Sequence, residues 1–384
     1  MCQITTVCRL QFSLSGSAVF DILKRMLSRF KKSLIGLGML AVMAIIVGFV
    51  AAQRLQHYLH EPISDRLTDW QTPLQDGQYV LEPGSSAQQF ASHLTAAGIL
   101  KHPRLLTLYL RFSNHDQALQ AGQYQFDSDM SILDMVQTLV DGQVTQYQIT
   151  LVEGQTFKQW LARLAAHTDL QQTLSDLSIQ QIMQSVMTTD GGVTSVNPAT
   201  DHPEGQFFPD TYVFSASTTD LDILKRAYQQ MQIVLQQEWQ DRADQEHIKS
   251  PYEALILASI IEKETGVGHE RALISGVFHN RLARNMRLQT DPTVIYGVGD
   301  AFDGDITYRH LRTDTPYNTY TRAGLPPTPI AMPGRAAIHA ALHPQETRAL
   351  FFVAKGENGE HVFSETLQQH ERAVQAYLRK TRTR

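Results

Sequence analysis

Apolar residues follow several distinct patterns along the chain. One uninterrupted run, Leu34 to Ala52 (LIGLGMLAVMAIIVGFVAA), has no polar period. As a helix it measures about 28 Å at ~1.5 Å per residue, close to the hydrocarbon thickness of a bilayer. A polar stretch, 53–78, reads as a stalk. Helical spacing then begins. Ser85 or Ser86 caps a helix running to Ala97, with Gly98 at its end. A second helix follows Pro103 (LLTLYLRF), and Tyr124–Phe126 reads as a short strand. Ser131 opens another helix, with Asp134 as capping-box partner and Gly142 as stop. Period-two alternation appears over Gln146–Val152, placing Tyr147, Ile149 and Leu151 on one face. Helices are expected over Phe157–Ala166 and about 220–240, with helix then loop over 170–200 and a turn-rich aromatic stretch at 204–212. Leu350–Ser364 reads as a hairpin with Asn358-Gly359 at its turn.

One helix departs from amphipathic spacing. Ser250-Pro251-Tyr252-Glu253 is a strong start: Ser at N-cap, Pro at N1, and Glu at N3 to close a capping box. The next residues, ALILASII, leave almost no polar position, and a helix apolar all round is buried all round. It ends in Glu262-Lys263-Glu264-Thr265-Gly266. Two carboxylates two residues apart point about 200° from one another around the axis, so they cannot share a site. Burial and the negative end of the helix dipole both raise a carboxyl pKa, which is what a general acid near neutral pH requires. Surface charges where a helix emerges are the plainer alternative. An amphipathic helix (about 270–285) follows. Then come Pro- and Gly-punctuated loops rich in amides, hydroxyls and rings (Leu288–Pro292, Thr315–Tyr320, Gly324–Pro327, Met332–Gly334). Such groups suit sugar faces, or are ordinary turns.

Charge sharpens the layout. Residues 1–53 carry six basic residues and one acid, whereas the net charge of the whole chain is −5, leaving −10 beyond residue 53. So acidic a portion lacks the footprint of a nucleic-acid binder. Lys24, Arg25, Arg29, Lys31 and Lys32 precede the apolar run, which by the positive-inside rule puts the N-terminus in the cytoplasm. A cleaved signal peptide is the competing reading, but its apolar region is usually shorter. Met26 directly precedes the basic-then-apolar pattern, so either it or Met1 is the start. The only cysteines are Cys2 and Cys8, which excludes a disulfide framework or thiolate zinc site in the remainder. His339 and His343 have i,i+4 spacing without the Glu of an H-E-x-x-H motif or an evident third ligand. No metal and no cofactor is expected.

Several blocks together resemble a known family. ASIIEKETG (258–266), NRL (280–282), MRLQTDPTVIYG (286–297), TPYNTYTRAGLPPTPI (315–330) and His343-Pro344 are similar to the YceG-like (MltG) family of endolytic murein, or peptidoglycan, transglycosylases. The 204–212 stretch and the anchor-plus-small-module layout fit as well. The resemblance covers about residues 26 to 380. It implies an α+β protein with a cytoplasmic N-terminus (1–33), one transmembrane helix (34–52), the stalk (53–78), a LysM-like α/β module or plain spacer (79–145), and a mixed α+β catalytic domain (146–380) in the periplasm.

The implied activity is a lyase reaction at the bacterial inner membrane. Nascent glycan strands are cut between N-acetylmuramic acid and N-acetylglucosamine, leaving 1,6-anhydromuramic ends and terminating elongation. The catalytic residue is carried by the second glutamate of E-K-E-T, here Glu264. Asn318, Tyr320, Gln289 and Asp291 are the expected substrate contacts, with Glu204 added; Asp291, before Pro292, is alternatively a turn former. Glycan strands and the inner membrane are the expected partners, with cell-wall synthases (penicillin-binding proteins) as further candidates. Two rivals stay open: a hydrolase pairing Glu264 with Asp291 or Glu204, and a membrane-tethered glycan-binding scaffold without catalysis.

Overall fold

The computed structural model describes residues 16–65, 74–187, 202–356 and 359–382. Two compact units divide the chain, one up to Val144 and one from Thr145 onward. The expected turn residue Asn358, both cysteines and the loop after residue 187 lie outside the described residues.

The first unit contains α1 (Gly16–His60), β1 (Gln78–Leu81), α2 (Ala87–Ala96), α3 (Pro103–Phe112), β2 (Gly122–Gln125) and α4 (Ile132–Asp141). Within α1, the segment Gly38–His60 is long and apolar enough to cross a membrane, and Met39, Ile45 and Phe49 are exposed. Strands β1 and β2 pair antiparallel with Tyr79 opposite Tyr124. Over them pack Phe90 and Leu94 of α2, Leu106 and Leu110 of α3, and Leu139 of α4. Ser86 and Ser131 cap α2 and α4 through complete capping boxes, as the sequence suggests.

The stretch expected to be a stalk, 53–78, is partly packed into this unit. Helix α1 continues into it as far as His60, about a third of its length, and Leu59, Ile63 and Leu74 are fully buried in this unit's core. The backbone is tied in as well, since Ile63 N–H donates to the Met130 carbonyl at 2.9 Å. Leu55, Leu59, Ile63, Leu67, Trp70 and Leu74 recur every three or four residues, a helical spacing that the polar composition around them obscures.

The second unit contains β3 (Gln146–Leu151), α5 (Phe157–Ala165), α6 (Ile179–Met187), β4 (Asp210–Ser215), α7 (Asp220–Gln240), α8 (Pro251–Glu264), α9 (Arg271–Ala283), α10 (Asp291–Val298), α11 (Tyr308–Arg312), α12 (Arg335–Leu342), β5 (Phe351–Ala354), β6 (His361–Ser364) and α13 (Leu367–Arg382). Strands β3 and β4 are antiparallel, as are β5 and β6. Strand β4 starts within the stretch expected to be turn-rich, 204–212, and runs beyond it, because its pairing with β3 is decided by tertiary packing of Tyr212 and Phe214. In the hairpin, Ala354 faces His361, so residues 355–360 form a longer connection than a two-residue turn.

Helix α8 is the axis of the unit. Every residue from Ala254 to Ile261 is buried, against α7, α9 and α12. Within it the buried Ser259 hydroxyl donates to the Ile256 carbonyl and accepts Ile330 N–H at 3.0 Å. Ser250 accepts Glu253 N–H as expected. The Glu253 carboxylate, however, takes Lys249 N–H instead of closing a capping box. The helix stops on an extended Thr265, not on a left-handed glycine.

Candidate active site

The two carboxylates at the end of α8 go separate ways. Glu262 turns to α12, accepting the N–H of its N-cap residue Gly334 at 3.0 Å and facing Arg271 at 3.4 Å. A carboxylate at a helix N-terminus beside a guanidinium is a satisfied structural anion. Glu264 instead lines a cavity of about 510 Å³.

That cavity is assembled from distant segments. Arg281 comes from α9; Gln289 and Asp291 come from the turn into α10; Tyr320 follows the 315–319 turn; Phe351, Phe352 and His361 come from the hairpin; Leu367 and His370 begin α13. The lining combines charged and amide side chains with rings and aliphatic groups, a combination suited to a sugar's hydroxyls and C–H faces.

The wall behind Glu264 is built of threonines. Thr290 Oγ1 donates to Glu264 Oε1 in a short hydrogen bond. Thr290 N–H donates to Thr319 Oγ1 at 3.1 Å, and Thr293 Oγ1 bonds both the Thr290 carbonyl and Thr319 Oγ1. Gln289 sits at φ 49°, a left-handed conformation uncommon outside glycine, with its N–H on the Thr319 carbonyl and its Oε1 accepting from Arg281. This bend aims Thr290 at the acid.

Burial pushes the Glu264 carboxyl up to about 7; the Thr290 hydroxyl opposes the shift, Asp291 adds to it, and His361 and Arg281 oppose it. Desolvation of the charged form outweighs one hydrogen bond because it acts on the whole carboxylate. Asp291 accepts Tyr320 O–H at 2.6 Å, and burial raises the Tyr320 hydroxyl, keeping it a donor. The arrangement therefore offers a proton donor poised near neutrality and an oriented carboxylate in one cavity whose lining also includes apolar side chains.

Residues 79–376 match the profile of the YceG-like family. The chain is 36% identical over 306 residues to an endolytic murein transglycosylase of Bacillus subtilis (strain 168), covering 77% of this chain and 83% of that protein. It is 27% identical over 329 residues to an endolytic murein transglycosylase of Streptococcus pneumoniae serotype 2, covering 77% of this chain and 57% of the relative. The chain belongs to the YceG-like family. A crystal structure of a YceG-like protein from Listeria monocytogenes aligns with TM-score 0.49 at 29% identity, covering 77% of this chain and 98% of that one.

Within this family member the expected contacts divide. Glu264, Gln289, Asp291 and Tyr320 share the cavity. Asn318 does not reach it. Its Nδ2 donates to the carbonyls of His310, Leu311 and Thr313, and its Oδ1 accepts Tyr320 N–H. It is a fully engaged bracket that shapes the turn bearing Tyr320. Glu204 also lies elsewhere. Both its oxygens accept Phe157 N–H at 3.1 Å, which places it at the N-terminus of α5. Burial raises it to about 7 as well, with the Phe157 amide and Tyr296 opposing.

Three further groups lie outside the expected contacts. Thr290 touches the acid directly and could have been read from the QTDPT block. Arg281, in the NRL block, is buried and donates to the carbonyls of Leu350, Arg287 and Leu288, pinning hairpin and turn together. His361 holds Glu270 through its backbone N–H and through Nδ1 at 2.7 Å; no local pattern joins residues so far apart in sequence. The fold also gives His339 and His343 the third neighbour that sequence lacked. Ligand atoms of Glu238, His339 and His343 lie within 4.8 Å of one another. The Glu238 carboxylate is bonded by Arg335 at 3.0 Å and His339 at 2.8 Å, an ion-pair arrangement in which the guanidinium occupies a cation's place.

Proposed function

We propose that this chain is a membrane-anchored endolytic peptidoglycan transglycosylase, cutting glycan strands between N-acetylmuramic acid and N-acetylglucosamine. The observation that carries the reading is Glu264: a carboxyl on the end of a buried apolar helix, facing a cavity with polar and aromatic walls, and protonated up to about pH 7. The relatives' names supply the substrate class.

In the proposed reaction, protonated Glu264 donates to the glycosidic oxygen as the C–O bond breaks. The carboxylate so formed accepts the proton of the muramic 6-hydroxyl, which closes on its own anomeric carbon. Glu264 ends protonated, no water is consumed, and the intramolecular attack gains effective concentration. One carboxylate suffices where a hydrolase generally needs two. Thr290 holds the acid's orientation; Asp291 and Tyr320 form a hydroxyl-binding pair. His361, fixed by Glu270, adds a further polar group to the cavity lining.

Within the first unit β1, α2, α3 and β2 run strand, helix, helix, strand, which supports a LysM-like glycan-holding role. Basic residues before the span support a cytoplasmic N-terminus and an outward-facing second unit, where glycan strands leave the synthases and termination of elongation would act.

Mass spectrometry of digested glycan strands tests the reading. Wild type should release anhydro ends, one water lighter than hydrolytic ends, and Glu264→Gln should release neither. A hydrolase is the second reading, favoured by the presence of Asp291 in the same cavity; hydrated ends from wild type would establish it instead. Glu204 takes no part in either scheme, because it is occupied at α5.

A further inference from the structure

Helix α3 carries an unusual outer face. Arg104, Leu105, Leu108, Arg111 and Phe112 fall on one stripe at helical spacing. All five are exposed, with Leu105 at 41%, Leu108 at 51% and Phe112 at 83%. Three large apolar side chains in line on a small unit are more than scattered surface residues. The stripe's charge also departs from its surroundings. Between Glu82 and Asp116 there is no acidic residue, while Lys101, Arg104 and Arg111 are all basic, in a chain whose part beyond residue 53 is strongly acidic.

The stripe stands next to the end of the apolar helix. Lys101 N–H, two residues before α3, donates to the Tyr58 hydroxyl of α1 at 3.2 Å. Tyr58 lies only about 12 Å along the helix axis from the exposed apolar Val50, at ~1.5 Å per residue. A bilayer crossed by α1 therefore has its headgroup layer close to α3.

We propose that α3 docks on the lipid leaflet flanking the anchor, with Leu105, Leu108 and Phe112 entering the headgroup–acyl boundary while Arg104 and Arg111 meet anionic headgroups. An apolar stripe flanked by cations is the pattern of interfacial helices, and long basic side chains reach headgroups from partly buried stems. The stripe would hold the first unit against the membrane instead of leaving it to pivot on α1. This inference rests on the membrane-anchor reading above.

The test uses the full chain in vesicles of phosphatidylglycerol and phosphatidylethanolamine with brominated acyl chains. Phe112→Trp is compared with the parent chain, whose three tryptophans are common to both; Leu108→Trp serves as a second reporter and Val80→Trp, on exposed strand β1, as control. The added emission at 112 and 108 should shift to the blue and be quenched by bromolipid, and that at 80 should not. Arg104→Glu with Arg111→Glu should abolish the quenching. Alkaline carbonate extraction reads the anchor separately. If the protein stays in the vesicles but positions 112 and 108 remain unquenched, or respond only to added glycan strands, docking is wrong. If carbonate strips the protein off, the anchor reading fails and the docking falls with it.

Discussion

Two buried glutamates show what distinguishes an acid that can react from one that only holds structure. Burial raises both Glu204 and Glu264 to about 7. At the N-terminus of α5, Glu204 has both oxygens on a backbone amide and a further bond from Tyr296, and is 5% exposed. At the C-terminus of α8, Glu264 has one hydroxyl partner and opens on a cavity. Desolvation alone therefore does not mark a catalytic group; a free lone pair facing a space large enough for sugar does. The helix ends differ in the same sense. The α5 terminus supplies donors that want an anion, whereas the α8 terminus disfavours one.

The sharpest way to break the comparison is to remove each acid in turn. Glu264→Gln should lower strand cleavage by about 10²- to 10⁴-fold or more, the contribution of a positioned general acid. Its Thr290 hydrogen bond survives, because an amide oxygen accepts equally well. Glu204→Gln should leave cleavage within about tenfold of wild type, the loss arising through stability rather than chemistry. Equal losses from the two substitutions would erase the distinction.

Stability should reverse the order. Glu204→Ala leaves Phe157 N–H buried without its acceptor, at a cost of about 1–3 kcal/mol, read as a lower Tm. For Glu264 the sign follows from linkage. Its folded pKa of about 7 exceeds the ordinary 4.5, so the folded state binds this proton more tightly than the unfolded one. Its contribution to stability therefore falls as pH rises from about 4.5 to about 7. Glu264→Gln removes that slope. The variant should match wild type near pH 4.5 and exceed it at pH 8, by up to about 3 kcal/mol at roughly 1.4 kcal/mol per pH unit. Thermal melts across that range check it.

The apolar helix 250–264 and its two divergent carboxylates were legible because their cause is local: capping at one end, uninterrupted apolar residues, and angular spacing fixed by helix geometry. The roles of Asn318 and Glu204 were not, because amides and carboxylates look alike in sequence whether they meet substrate or backbone. Only the fold shows that three carbonyls converge on Asn318 and that α5 begins over Glu204. The buried end of the expected stalk has a readable helical spacing, but that α4 and the β1–β2 pair cover Leu59, Ile63 and Leu74 is decided by the fold. Strand β4 likewise depends on a partner sixty residues upstream. What sequence carried was the period of each element; what it withheld was which polar groups each element would meet.

The finest test concerns the single bond that separates Glu264 from a fully desolvated acid. Thr290 Oγ1 donates to the carboxylate and so favours its charged form, holding the pKa below where burial alone would place it. Thr290→Val keeps the side-chain shape and removes the donor. The carboxyl pKa should then rise, and the alkaline limb of the cleavage–pH profile, where the acid form is lost, should move to higher pH. Cleavage at neutral pH should change only a few-fold, since the proton donor remains while its orientation loosens. A limb that moves to lower pH would mean that Thr290 acts on the neutral acid instead, and the threonine wall would then stabilise the donor rather than the carboxylate awaiting the 6-hydroxyl proton.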